Sequence, residues 1–315
     1  MENLLTIGFF TGLCTATIRT ATPILFAGIG EIYAERSGVY NIGLEGLMLC
    51  GALAGFIASF YSGSAWMGVI IGAMVGSLVS LLHAYACIFL YVDQIVSGLA
   101  INIFSLGLTS YVYKMFAGKG TLPPTVAGLE NMKIPILSKI PVVGDILFSH
   151  NALIYLAFLL VPAAWWFLFR TEPGLHIRAT GENPEATKTA GLNVQRTRFL
   201  CVLLGGLLAG LGGAYMSLGQ LNVFTENMIG GRGFIALAAV IFGKWRPMGA
   251  MGGALLFGLA DASQLRLQAL GFRIPNEFFL MLPYIITILV LAKIVGRTNP
   301  PQALGVPFKK WSGRG

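Results

Sequence analysis

RTEPGLHIRATGENPEATKTAGLNVQRTR, residues 170–198, is the least hydrophobic stretch of a chain that is otherwise mostly apolar. It lies between two long apolar runs and carries Arg170, Arg178, Lys188, Arg196 and Arg198. Basic residues next to membrane-spanning segments stay on the cytoplasmic side, so this loop orients everything around it. Inside it, Asn183 suits a helix cap, Pro184 the first helical position, Glu185 the positive N-terminal end and Gly191 a left-handed stop. These residues predict a stub of about two turns from Pro184 to Ala190, with Ala186 and Ala190 as a smooth face. So short a helix is marginal in water unless it rests on something. Two readings stay open: a basic loop with an incidental turn, or a docking element for a cytoplasmic partner.

Composition sets the class. The 315 residues are 56% hydrophobic and 11% charged, with a mean hydropathy of +0.76. Soluble domains carry about 25% charge, so this is an integral membrane protein. At ~20 apolar residues per crossing there is room for roughly eight to ten helices. The expected fold is all-α, a polytopic helical bundle forming one domain over residues 1–315. The net charge of +8 is spread over loops and forms no basic face for a duplex, which excludes nucleic acid as a partner. Cys14, Cys50, Cys87 and Cys201 fall in apolar runs without metal spacing and read as small buried residues. The N-terminus has no Lys or Arg before its apolar run, unlike a secretory signal, and reads as a retained first helix.

Apolar runs cover about 4–29, 42–60, 66–91, 95–116, 153–169, 199–221, 234–242, 248–262 and 278–291. The 234–242 run is too short for a straight crossing and reads as half of a broken helix. With 170–198 inside, alternation places Arg36, the five central basic residues, Lys244, Arg246, Lys293, Arg297, Lys309, Lys310 and Arg314 on the cytoplasmic side. Outside lie Lys114, Lys119, Lys133, Lys139, Arg266 and Arg273, with Arg232 near that face. The excess inside is the expected bias, and it puts the C-terminus in the cytoplasm. The outer loop 117–151, rich in Pro and Gly, is expected to pack on the membrane surface, either as a plain connector or as a seat for an extracytoplasmic partner. The basic tail 296–315 is expected to be disordered at its end. Gly51/Gly55, Gly72/Gly76, Gly206/Gly210 and Gly249/Gly253 have the spacing that lets helix backbones approach in lipid, here within the bundle. Glycine-rich helices opening at 66–68 and 248–249 run in opposite directions in this topology, which fits an inverted repeat.

Catalytic chemistry is hard to find. His83, His150 and His176 are far apart, no HExxH, GxSxG or CxxC occurs, and Gly243-Lys244 lacks the rest of a Walker A loop. No nucleophile, base or metal set marks an enzyme. Polar groups inside the apolar runs are the better signal, because each is costly in lipid unless it faces protein or water. These are Asn41, Glu45, Gln94, Ser97, Asn102, Gln220, Asn222, Glu226 and Asp261, with Glu45 and Asn102 the deepest. Arg19 sits among Thr15, Thr17, Thr20 and Thr22 and reads as structural. There is no ladder of carboxylates of the kind an ion-coupled transporter uses, although Glu45 leaves that class as an alternative.

The stretch GEIYAERSGVYNIGLEGLMLCGALAGF, residues 30–56, resembles the permease subunits of bacterial ATP-binding-cassette importers, most closely the nucleoside-uptake branch, related to ribose and branched-chain amino-acid permeases. GLHIRATGENPEATKTAGLNVQRTR (174–198) and GRGFIALAAVIFGKWRPMGAMGGALLFG (231–258) resemble them too. The resemblance implies a multi-pass protein of the inner membrane with no cofactor of its own, ATP and Mg being held by a partner ATPase. It implies that Glu182, Asn183, Pro184, Glu185, Ala186, Ala190 and Gly191 form the coupling helix that docks on that ATPase. It implies two further partners, a second permease chain that is often a different one and an extracytoplasmic substrate-binding lipoprotein. Ser37 to Gly46 would be a broken or re-entrant segment beside the path. Asn41, Glu45, Gln94, Asn102, Phe104 and Asn222 are then the candidate path residues, with Asn102 meeting base or ribose and Phe104 stacking a base. A simple sugar or another small metabolite remains the alternative cargo.

Overall fold

The first helix runs well past Ile29. In the computed structural model, which describes residues 7–118, 123–133, 135, 137–269, 281, 285 and 299–308, α1 spans Ile7–Arg36. It continues because Glu31 and Glu35, one turn apart, face inward and are fully buried. Its threonines bond to their own helix: the hydroxyls of Thr15, Thr17, Thr20 and Thr22 each donate to the carbonyl four residues back. That satisfies them within the helix, and the Thr20 hydroxyl also lies 2.9 Å from the Gly258 carbonyl.

Three helices follow, α2 (Leu44–Ser62), α3 (Ala65–Ile88) and α4 (Gln94–Ala117). The long connection after them holds two short strands, β1 (Asn131–Lys133) and β2 (Ser149–Asn151), paired antiparallel around a short helix, α5 (Val143–Leu147). Next come α6 (Ala152–Arg170), α7 (Glu172–Glu182), α8 (Pro184–Thr189) and α9 (Val194–Tyr215), which ends in a π-helical turn over Met216–Gln220. The last described helices are α10 (Arg232–Phe242) and α11 (Pro247–Ala269). Among the described residues, α1, α2, α3, α4, α6 and α9 with its π turn are long and apolar enough to cross a membrane. The expected run 278–291 and the tail beyond Phe308 lie outside the described residues, apart from Met281 and Ile285.

Glycines hold the centre together. An added Cβ at Gly51 would strike Gly210, at Gly72 the backbone of Gly51, at Gly76 the backbones of Gly206 and Gly210, and at Gly213 the backbone of Met48. α2, α3 and α9 therefore pack backbone to backbone, and the paired glycines serve the interior of the bundle as expected. Gly249 and Gly253 do the same against Gly243 and Ala239 of the α10 end. Cys50, Cys87 and Cys201 are buried, but Cys14 is exposed, a correction to the reading of all four as core.

Two ends of the bundle are distinct. At one, Arg36 lies 4.0 Å from Glu182 and donates to the carbonyl of Trp245, and both Arg36 and Arg178 sit over the Phe169 ring. At the other, the Thr15 hydroxyl faces Asp145 of the β1–β2 region, and Thr125 pairs with Val223. The order α1–α2–α3 is repeated in reverse sense by α9–α10–α11: Gly51 meets Gly210 and Gly55 meets Ala214, so α2 runs parallel to α9 toward the second end, whereas α10 runs back to the Arg36 end.

Candidate functional site

α2 does not start at an end of the bundle. Its parallel register with α9, carried back to Leu44, sets its first turn beside the middle of the 27-residue Val194–Gln220 helix. Residues 37–43 fill the gap between α1 and α2 as turns and extended chain. Irregular backbone at such depth survives only where protein satisfies its polar groups. Side chains from three helices do so here. The Tyr40 N–H donates to Gln94 Oε1 at 2.7 Å, and the Tyr40 carbonyl accepts from His83 Nε2 at 3.1 Å. The Asn41 N–H donates to Glu31 Oε1 at 2.9 Å, and the Ile42 carbonyl accepts from Asn102 Nδ2 at 2.9 Å. With Nε2–H given to that carbonyl, His83 Nδ1 accepts from the Ser97 hydroxyl at 3.0 Å.

α10 begins at the same level as α2. Gly230 and Gly231 precede it with φ of +58° and +87°, a left-handed pair that glycine adopts without strain. The turn aims its N–H groups at Glu45: Gly231 donates to Oε1 and Gly233 to Oε2, each at 2.7 Å. A carboxylate is favoured there by the N-terminal end of the helix. Gly233 has no room for a side chain, since a Cβ would meet the Glu45 backbone. Asn102 completes the junction by accepting the Gly46 N–H at 2.8 Å. Arg232 and Asp261 pair at 3.3 Å one step further along α10 and α11. Two helix N-termini thus converge inside the bundle and run apart, with a cavity of about 270 Å³ between them lined by Glu45, Asn102, Asn227, Ile103, Leu106 and Phe234.

Of the expected path residues, Glu45 and Asn102 line this cavity, and Asn41 and Gln94 brace the irregular segment behind it. Asn41 and Gln94 are buried. Phe104 is not brought to Asn102. It lines a separate apolar pocket with Leu82, Val92 and Val96, because two residues along a helix turn about 200°. Asn222 is also elsewhere, exposed at the Asp145 end, where its carbonyl accepts the Val126 N–H. Glu31 and His83 belong to the site and escaped the sequence reading. The signal for His83 was a lone polar side chain inside an apolar run, whereas Glu31 lies just beyond the end of one, where the helix carries on.

The central loop folds largely as its residues imply. Asn183 Oδ1 accepts the Ala186 N–H, Pro184 opens α8, and Gly191 stands at φ +85° just beyond its end. Asn183, Glu185, Ala186 and Ala190 are exposed, while Thr187 packs inward. The sequence reading did not foresee α7, capped by the Thr171 hydroxyl, or the strap formed by residues 299–308. The Ala303 N–H donates to the Gly181 carbonyl at 2.8 Å, so the start of the basic tail lies across α7 in an ordered path.

Comparison with known proteins agrees with this architecture. Residues 13–291 match the family described as branched-chain amino acid transport system / permease component. The guanosine ABC transporter permease protein NupQ of Bacillus subtilis is 43% identical over 94% of this chain and 95% of its own length. The nucleoside ABC transporter permease protein NupC of Lactococcus lactis is 40% identical over 92% and 94%. A putative glucose ABC transporter permease, TsgC13 of Haloferax volcanii, is 39% identical over 95% and 96%. A helical bundle built around buried helix starts, matched over nearly its whole length by transport permeases, belongs to the branched-chain amino acid transport system / permease component family.

Proposed function

We propose that the chain lines the translocation path of an ATP-driven nucleoside importer. The observation that carries this reading is the cavity where α2 and α10 begin, with its amides and its single carboxylate already held by two backbone N–H groups. Such a surface suits a neutral, hydrogen-bonding solute: Glu45 occupies the anion seat, and no lysine or arginine is among the lining residues. The names of the B. subtilis and L. lactis relatives support a nucleoside within that class. The H. volcanii relative favours a hexose as the second reading.

The Arg36–Glu182 end is cytoplasmic in this scheme, which follows from its basic residues. The exposed face of α8 docks on a separate ATPase that holds ATP and Mg, and a second permease chain closes the path. The β1–β2 region and Asn222 at the opposite end receive a substrate-binding lipoprotein. The test is uptake by the complex purified from its native membrane and reconstituted in vesicles. Guanosine uptake that needs ATP, ignores uncouplers and resists excess glucose is expected. Competition by glucose would assign the hexose, and uptake by this chain alone on an ion gradient would overturn the importer.

A further inference from the structure

One buried cation is not used by the site or by α8. Arg198, near the start of α9, is 2% exposed, yet it has no carboxylate partner among the described residues. Its guanidinium spends its donors on three backbone carbonyls: Nε on Ser37 at 3.1 Å, one terminal nitrogen on Val306 at 2.9 Å, the other on Ala303 at 3.5 Å. A planar fork that reaches three carbonyls fixes their relative positions more tightly than any one of the bonds would. Ser37 opens the irregular segment that leads to the cavity, and Ala303 and Val306 belong to the strap.

The strap is tied at its other side to the docking loop. Ala303 bonds the Gly181 carbonyl, the Gln302 N–H reaches Glu182 at 3.4 Å, and Lys188 of α8 lies 5.9 Å from the Phe308 ring. The Gly305 N–H also donates to the Gly38 carbonyl at 3.3 Å. Gly181 sits so close to the Arg36 carbonyl that a Cβ would strike it, so α7 cannot move without pressing on the end of α1.

We propose that Arg198 and the strap 299–308 are positioning elements that transmit displacement of the α7–α8 loop to residues 37–43 and so to the cavity at Glu45 and Asn102. The path is continuous through named contacts: α8 to Phe308, α7 to Ala303, Ala303 and Val306 to Arg198, Arg198 to Ser37. The proposal rests on the importer reading, since it needs an ATPase to move the loop.

The test uses the whole complex and needs no knowledge of the cargo. Ile103, exposed on the cavity wall, is changed to cysteine, and its reaction with a thiol probe is followed by peptide mass spectrometry without nucleotide and with ATP trapped by vanadate. In the otherwise native chain nucleotide should change the rate by about 5-fold or more, the lower end of ordinary coupling. Ending the chain at Pro301 should cut that change well below the native value, leaving only what α7 passes directly to the end of α1, while the ATPase still co-purifies and hydrolyses ATP. Ending it at Phe308 should preserve the change. Arg198→Met should behave like the short chain, and Arg198→Lys, which keeps the charge and loses the fork, should fall between. A full nucleotide response in the chain ending at Pro301, or loss of the ATPase from it, overturns transmission by the strap. A native chain that binds no ATPase, or whose reporter ignores nucleotide, overturns it too, and the first of these overturns the importer reading as well.

Discussion

Replacing Glu45 by glutamine leaves one oxygen in a seat built for two. Each carboxylate oxygen accepts a backbone N–H at 2.7 Å, from Gly231 and from Gly233, at the start of α10. A hydrogen bond to a charged group contributes ~1.5–3 kcal/mol, a neutral one ~1 kcal/mol. A carboxylate at a helix N-terminus adds ~0.3–1 kcal/mol. Glutamine keeps one neutral bond and turns its NH₂ toward an N–H, so the loss is about 2–6 kcal/mol. Glu45→Ala abandons both N–H groups and loses roughly 3–7 kcal/mol. At about 2–4 °C per kcal/mol for a large domain, the glutamine variant should melt about 4–24 °C lower, and the alanine variant lower still. The assay is thermal unfolding of the detergent-solubilised protein by tryptophan fluorescence. Glu226→Gln is the control: its pair with Lys114 at 3.4 Å is solvent-exposed, and its loss should leave the melt in place. If Glu45→Gln melts with the control, the convergence of α2 and α10 on this carboxylate does not hold the site, and the argument fails.

Asn102→Ala removes both bonds that clamp residues 42–46 to α4, which should cost about 1–3 kcal/mol and lower uptake at matched expression. Phe104→Ala, in its separate pocket, should leave uptake unchanged. Gly191→Val forces a β-branched residue to φ +85°, and Glu185→Arg puts a cation at the start of α8. Both variants should insert normally yet lose stimulation of the ATPase, which ATP hydrolysis in the reconstituted complex will read. Gly213→Ala pushes a methyl into the Met48 backbone, and overpacking of that kind costs about 1–3 kcal/mol, visible as a lower melting temperature.

α8 was legible because its signals are chemical and local. A capping amide, a proline at the first position and a glycine past the end each report on one backbone group, and Asn183, Pro184 and Gly191 take those places. The entry into α2 was less legible. The run 42–60 looks continuous in hydropathy, and nothing in it says that the helix starts half-way through the bundle. That fact depends on His83, Gln94 and Asn102, which lie 40 to 60 residues away and reach its backbone. Glu31 and Glu35 were hidden for the opposite reason, since charge ends a hydropathy run even where the helix carries on and buries it. The separation of Phe104 from Asn102 was in the helical period all along. The strap is held largely through main-chain groups, which leave no mark in residue identity.

The glycine contacts among α2, α3 and α9 limit how the protein can change shape. Sliding one of these helices along another by a residue would drive side chains into main-chain atoms at Gly51, Gly76 and Gly210, so shear is blocked and the three move as a single rigid body. α10 has no such interlock with α2 beyond Gly233 and the Glu45 bonds, and α1 and α6 carry Pro23 and Pro162, each a gap in the helical ladder where bending is easy. α11 is itself locked to α1, where a Cβ at Gly258 would strike the Thr17 carbonyl, and α1 to α9 at Gly30 and Gly205, so α11 belongs to the same block and any change of shape falls to the two proline gaps and the seam between α2 and α10.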